Sequence, residues 1–130
     1  SLAKTKAYDQ GYDDAWFVEN GFITEGTSSN AFIVLKNNKI VTRKIGKVIL
    51  PGVTRSSILE AAIFLGLEVE ERPFSIKEAE TAKEAFITSA TNFIASVVEI
   101  NKQIIGSGTV GRITKLLREQ YIIDMKRTSV

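Results

Sequence analysis

The sequence contains neither cysteine nor histidine. No disulfide or thiolate metal site can form, and the commonest metal ligand and general base is missing, so zinc chemistry and every catalytic triad built on histidine are excluded. Only two prolines occur among 130 residues, with no compositionally biased stretch, which argues against disorder and against a long linker. No internal repeat recurs at solenoid spacing. No apolar run reaches the roughly 20 residues needed to span a bilayer, and Lys4 and Lys6 are not followed by the apolar core of a signal peptide. Charge of one sign is lacking too: 17 basic and 15 acidic residues leave a net charge of +2 and are scattered, which speaks against nucleic acid as a partner. A soluble, cytoplasmic protein is the expectation.

What is present suffices for one globular domain over residues 1–130. At 44% hydrophobic and 25% charged, a chain of this length buries roughly two-thirds of its unfolded surface. Residues 2–10 read as a short helix, with Leu2, Ala3, Ala7 and Tyr8 at amphipathic spacing and Gly11 to end it. Ala15 to Val18 and Phe22 to Thr24 flank Asn20-Gly21, a hairpin turn dipeptide. Ala31 to Leu35 and Lys39 to Thr42 repeat the arrangement across Lys36-Asn37-Asn38. Pro51-Gly52 then breaks the extended pattern. Thr54 is placed to cap a helix with Ile58, Leu59, Ala62 and Leu65 on its core face and Gly66 as its stop.

Leu67 to Arg72 reads as a strand, and Ser75 with Glu78 three residues later forms a capping-box signature for a helix over 76–83. Phe86 to Thr88 and Ile94 to Ile100 read as strands separated by the polar patch Ser89 to Asn92. A closing helix from about Val110 to Lys126 uses Ile113, Leu116, Leu117, Tyr121 and Ile122. Strands first and helices interleaved later predict an α+β domain, a curved antiparallel sheet or barrel covered by helices.

Three polar segments fall at strand ends: Glu25 to Asn30, Leu50 to Arg55 and Ser89 to Asn92. Converging on one rim, they would supply a carboxylate, a helix N-terminus and a set of hydroxyls. Free backbone N–H groups at Pro51-Gly52-Val53-Thr54, together with the helix dipole, suit a phosphate, and the Thr54 hydroxyl can add a hydrogen bond. Singly, each is commonplace: a cap, a solvated turn, a surface charge. Their order and joint occurrence carry the argument.

The run Thr24-Glu25-Gly26-Thr27-Ser28-Ser29-Asn30-Ala31-Phe32, followed by Ile49-Leu50-Pro51-Gly52-Val53-Thr54-Arg55, resembles the fold-type IV (class IV) pyridoxal-phosphate aminotransferases, with the D-amino-acid (D-alanine) branch closest. The resemblance continues through Phe86 to Ser89, Val97 to Ile100 and Gly108 to Leu117. It implies pyridoxal 5'-phosphate as cofactor, an amino acid and a 2-oxo acid as substrates, and a homodimer. Glu25 matches the glutamate that pairs with the pyridine nitrogen, Leu50 the apolar residue against the ring face, and Gly52, Val53 and Thr54 the phosphate-binding helix start. Ser28 and Ser29 match positions near ring and phosphate. Where many members place a threonine hydroxyl on the phosphate, this sequence has Ala90, with Thr91 next. Either Thr91 or Ser89 supplies that contact, or the phosphate is held with one bond fewer. Phe93 stands where an acidic residue is frequent.

The resemblance also implies a Schiff-base lysine and a smaller N-terminal domain. Lys4 and Lys6 lie too close to the first hairpin to match that lysine, so no catalytic residue is expected in this chain. It reads as most of the C-terminal domain, inactive alone. Thr27-Ser28-Ser29 favours D-amino acids over branched-chain ones. Alternatives are a lyase of the same fold acting on an aminodeoxychorismate-like substrate, or a non-catalytic binding or assembly domain.

Overall fold

A computed structural model describes residues 2–7, 13–26, 30–43, 55–89 and 93–128. The chain order is β1 (Leu2–Ala7), β2 (Asp13–Glu19), β3 (Phe22–Gly26), β4 (Asn30–Val34), β5 (Ile40–Thr42), α1 (Arg55–Phe64), β6 (Val69–Glu71), β7 (Phe74–Ser75), α2 (Ile76–Thr81), β8 (Glu84–Ser89), β9 (Phe93–Ile100), β10 (Gln103–Ile104) and α3 (Arg112–Thr128). Among the described residues, ten strands form one sheet in the order β6-β5-β4-β8-β9-β1-β2-β3-β7, with β10 folded back on β9. Every pairing is antiparallel except β5 with β6. This is the α+β curved sheet that the pattern of strands and helices predicts.

The sheet curls until its two edges nearly meet. Its outermost strands, β6 and β7, are separated in sequence only by Arg72 and Pro73. Three Cα–Cα steps span at most about 11 Å. The Arg72 N–H still donates to the Thr42 carbonyl of β5 at 2.9 Å, whereas Phe74 is already paired with Ile23 of β3. A charged network lies along this seam. Lys39 reaches Glu68 and Glu70 at 3.2 and 3.0 Å, and the Arg72 Nε donates to Glu70 at 2.7 Å. The Arg72 fork grips Glu78 of α2 with bonds of 3.2 and 2.9 Å. Glu78 also closes the predicted capping box, accepting from the Ser75 N–H while the Ser75 hydroxyl accepts from its own N–H.

The two faces of the sheet bury different cores. Along β4, Ala31 and Ile33 face the inside of the curl, while Phe32 and Val34 face the helices. Inside, Trp16 of β2 meets Phe74 of β7 edge-on at 6.4 Å, over the intervening strand β3. Outside, Phe32 and Phe86, register partners on β4 and β8, stack at 4.7 Å beneath Ile58 of α1 and Ile113, Leu117 and Tyr121 of α3. α3 is anchored at its start by a residue of the sheet. The Glu84 carboxylate, 6% exposed, accepts from the N–H groups of Ile113 and Thr114 at 3.0 and 2.8 Å and from the Thr114 hydroxyl at 2.8 Å. Gly111 allows this approach, because a Cβ there would lie 2.1 Å from the Glu84 carboxyl carbon.

Several expectations are corrected. Residues 2–7 are strand rather than helix: Ala3 and Thr5 are buried while Lys4 and Lys6 are exposed, a period of two, and the segment pairs with both β2 and β9. Two neighbours offering unpaired backbone groups override a weak helical pattern. Residues 8–11 lie outside the described residues. The strand expected over 67–72 is confined to Val69–Glu71, and the helix expected to reach 83 stops at Thr81, because Ala82 is extended. Ile122, assigned to the core, is 39% exposed, and Leu59 and Leu116 are only partly buried. β7 and β10 were not foreseen. The β10 hairpin turns on Asn101-Lys102, both at positive φ (51° and 68°), and β7 is too short to show a periodicity.

Two stability outcomes follow from these contacts. Glu84→Ala leaves two buried helix N–H groups without an acceptor and is expected to lower the free energy of unfolding by about 2–4 kcal/mol, read by urea denaturation. For the seam, the Arg72 guanidinium holds the Glu78 carboxyl below its ordinary value of 4.5. A carboxyl with a lowered folded-state pKa stabilises above its unfolded value and loses that contribution as pH falls through the folded one. The difference in thermal midpoint between the parent chain and Glu78→Gln should therefore be constant above about pH 5 and close as pH falls below about 4.

Candidate active site

The strand registers collect four connections on one rim of the curled sheet. Lys6 lies opposite Asp13 and Trp16 opposite Gly26, while Asn30 lies opposite Thr88 and Ser89 opposite Phe93. Thr42 lies opposite Phe32, so β5 ends beside the start of β4. The ends that bracket residues 8–12, 27–29, 44–54 and 90–92 therefore share that rim. The opposite rim carries the tight turns at Asn20-Gly21, Asn37-Asn38 and Asn101-Lys102.

The single parallel pairing among the described strands explains where α1 starts. β5, α1 and β6 form a crossover unit in which β6 runs parallel to β5, with Ile40 beside Val69 and Thr42 beside Glu71. A helix joining parallel neighbours returns antiparallel to them, which puts its N-terminus at the carboxyl end of the first strand. α1 begins at Arg55, immediately after Thr54, on the rim where β3 ends and β4 begins. Crevices at the carboxyl ends of strands beside a helix N-terminus bind anionic groups.

Of the residues singled out from sequence, Glu25 is the penultimate residue of β3 and Ser89 the last of β8, both at this rim. Ser28, Ser29, Leu50, Gly52, Val53, Thr54, Ala90 and Thr91 lie outside the described residues. The strand ends that flank them are brought together by the registers above. Among the described residues, no group of three or more His, Cys, Asp or Glu side chains is placed to hold a metal ion. No helix among them is long and apolar enough to cross a membrane.

Three buried polar residues lie beneath this rim; sequence reasoning named Asn30 only as the end of a polar segment and passed over Thr42 and Thr88 as site residues. Asn30, Thr42 and Thr88 are 7%, 1% and 1% exposed, polar side chains on the helix-facing side that also carries Phe32, Phe86 and Ile40. The Thr42 hydroxyl donates to the Ala31 carbonyl at 3.0 Å. The available signal was their position as the strand residues nearest the three polar segments. The Trp16 indole N–H is also buried and has no hydrogen-bond partner among the described residues; its register partner is Gly26, next to Glu25.

The rim brings together the end of β3, which carries Glu25, and the ends of β4, β5 and β8. The family profile of the class IV aminotransferases matches residues 1–100, and the chain belongs to that family. A probable branched-chain-amino-acid aminotransferase of Aquifex aeolicus is 42% identical over 123 residues, covering 93% of this chain and 39% of the relative. A D-alanine aminotransferase of Bacillus licheniformis is 39% identical over 114 residues, covering 88% of this chain and 40% of the relative. Among solved structures, the branched-chain aminotransferase of Thermobaculum terrenum in its PLP form superposes with a TM-score of 0.74 at 38% identity, covering 86% of this chain and 37% of that one. This chain thus spans about two-fifths of the length of these two curated relatives.

Proposed function

We propose that this chain supplies the cofactor-binding part of a pyridoxal-phosphate aminotransferase that moves an amino group between an amino acid and a 2-oxo acid. The observation that carries the reading is the convergence of the Glu25, Asn30, Thr42 and Ser89 strand ends on the rim where α1 begins. When bound, pyridoxal phosphate supplies the electron sink for breaking a bond to the alpha carbon of the amino acid. Glu25 holds a proton at the ring nitrogen, which deepens that sink. In this reading Leu50 would pack against the ring face, with Ser28 and Ser29 beside ring and phosphate. Gly52, Val53 and Thr54, just ahead of α1, would bind the phosphate, with Ser89 or Thr91 taking the place of a hydroxyl at Ala90.

The lysine that moves the substrate proton is assigned to a segment outside these 130 residues. The exposure of Lys4 and Lys6 on β1 supports that assignment. A homodimer belongs to the same reading.

For the donor, Thr27-Ser28-Ser29 favours a D-amino acid. The Aquifex aeolicus relative, named for branched-chain amino acids, favours the second reading, a branched-chain L-amino acid. In the full-length protein, addition of pyridoxal phosphate is expected to produce visible absorbance and amino transfer to 2-oxoglutarate, with D-alanine outpacing L-leucine. Glu25→Ala should lower kcat/KM by about a hundredfold or more. A full-length protein that neither binds the cofactor nor transfers an amino group overturns the proposal; faster turnover of L-leucine overturns the choice of donor.

A further inference from the structure

The chain has six asparagines, and the way their carboxamides are held sets one of them apart. The Asn37 side chain accepts from the Lys39 N–H at 3.1 Å, that of Asn101 from the Lys4 N–H at 3.0 Å, and that of Asn38 from the Lys83 ammonium. Asn30 is buried in the sheet, and Asn92 lies outside the described residues. Asn20 is exposed and makes no side-chain hydrogen bond among the described residues. It is also the one asparagine that a glycine follows. Asn20 and Gly21 form the tip of the β2–β3 hairpin, with φ of 54° and 82°. Gly21 is exposed too, and a Cβ built on it would meet nothing within 4 Å, so the tip stands open to water.

A backbone amide nitrogen can attack the carboxamide carbon of the asparagine before it, and glycine leaves that nitrogen without a side chain to hinder the approach. We propose that Asn20 is a site of spontaneous covalent modification. The Gly21 nitrogen gives its proton to solvent base and bonds to Asn20 Cγ, the Cγ–Nδ2 bond breaks, and the nitrogen leaves as ammonia, forming a cyclic succinimide. Water then opens the ring. Attack at the side-chain carbonyl gives aspartate, and attack at the main-chain carbonyl gives isoaspartate, whose backbone runs through the former side chain and is longer by a methylene. The ring needs rotation about the Asn20 backbone, so opening of the hairpin tip paces the reaction. The Gly21 carbonyl, which accepts from the Ile76 N–H at 3.0 Å, slows that opening in the folded chain. The two products differ in effect. Aspartate tolerates the left-handed conformation as asparagine does. Isoaspartate lengthens a tight turn whose geometry keeps Glu19 opposite Phe22 and on whose glycine the start of α2 rests.

The test incubates the full-length protein in mildly alkaline buffer, digests it and maps the exchange of amide for acid by mass spectrometry. Asn20 is expected to convert at least about tenfold faster than Asn37, Asn38 or Asn101, into two separable products of equal mass. The same chain held in denaturant should convert Asn20 faster still, and Asn20→Gln should abolish the early conversion. The aged protein should melt below the parent, whereas Asn20→Asp, which carries the charge without the longer backbone, should melt with the parent. Earlier conversion at another of these asparagines, or an Asn20 that stays intact while they react, overturns the proposal. An aged protein that contains isoaspartate yet melts with Asn20→Asp overturns the effect assigned to the hairpin.

Discussion

Arg72 and Pro73 carry the chain from one edge of the sheet to the other, and the remaining architecture depends on that short passage. Two residues cannot bridge the edges of a flat sheet this wide, so the strands between β6 and β7 must curl until those edges approach. The curl creates an inside, which Trp16, Phe74, Ile23 and Ile87 fill, and an outside, which α1 and α3 cover. Proline suits the passage because it needs no donor where the chain leaves one edge before joining the other. Arg72 ties the crossing to β6 through Glu70 and to α2 through Glu78, and Lys39 extends the same network back toward β5. These pairs are partly exposed, so their value lies in geometry and in acting together more than in the strength of any one of them.

Curling also sorts the connections. With antiparallel neighbours, each hairpin alternates between the two rims, and the one parallel crossover places the start of α1 on the rim that holds the longer connections. The opposite rim is built from tight turns with positive-φ asparagines and glycine, stiff and short. α3 is pinned by Glu84, through the gap that Gly111 leaves, at the end of β8 away from the rim of longer connections, and its Arg118 donates to the Ile94 carbonyl of β9 nearer to it.

The apolar run of Ala31 to Leu35, the Asn20-Gly21 and Lys36-Asn38 turns, the Ser75–Glu78 capping box and the α3 repeat were legible because each is a local pattern with a local physical cause. The motifs around Glu25 and Leu50 to Arg55 pointed to the family by resemblance, since both are continuous stretches of sequence. Residues 2–7 misled because a short segment with two alanines carries no strong preference, and its state was decided by β2 and β9 competing to pair with it. β7 was invisible since two residues have no period. Asn30, Thr42 and Thr88 looked like ordinary polar residues at strand ends, and only burial distinguishes them.

Local chemistry in the sequence therefore determined most of the elements, the polar segments at strand ends and the membership of the class IV aminotransferases. The tertiary structure decided which of those segments meet, which face of each strand is inside, and which polar side chains are buried beneath the shared rim. The division has a physical origin. Turns, caps and periodicity arise from interactions a few residues apart, whereas register, curl and burial arise from backbone pairing and packing between residues such as Asn30 and Thr88, distant along the chain and adjacent in the sheet.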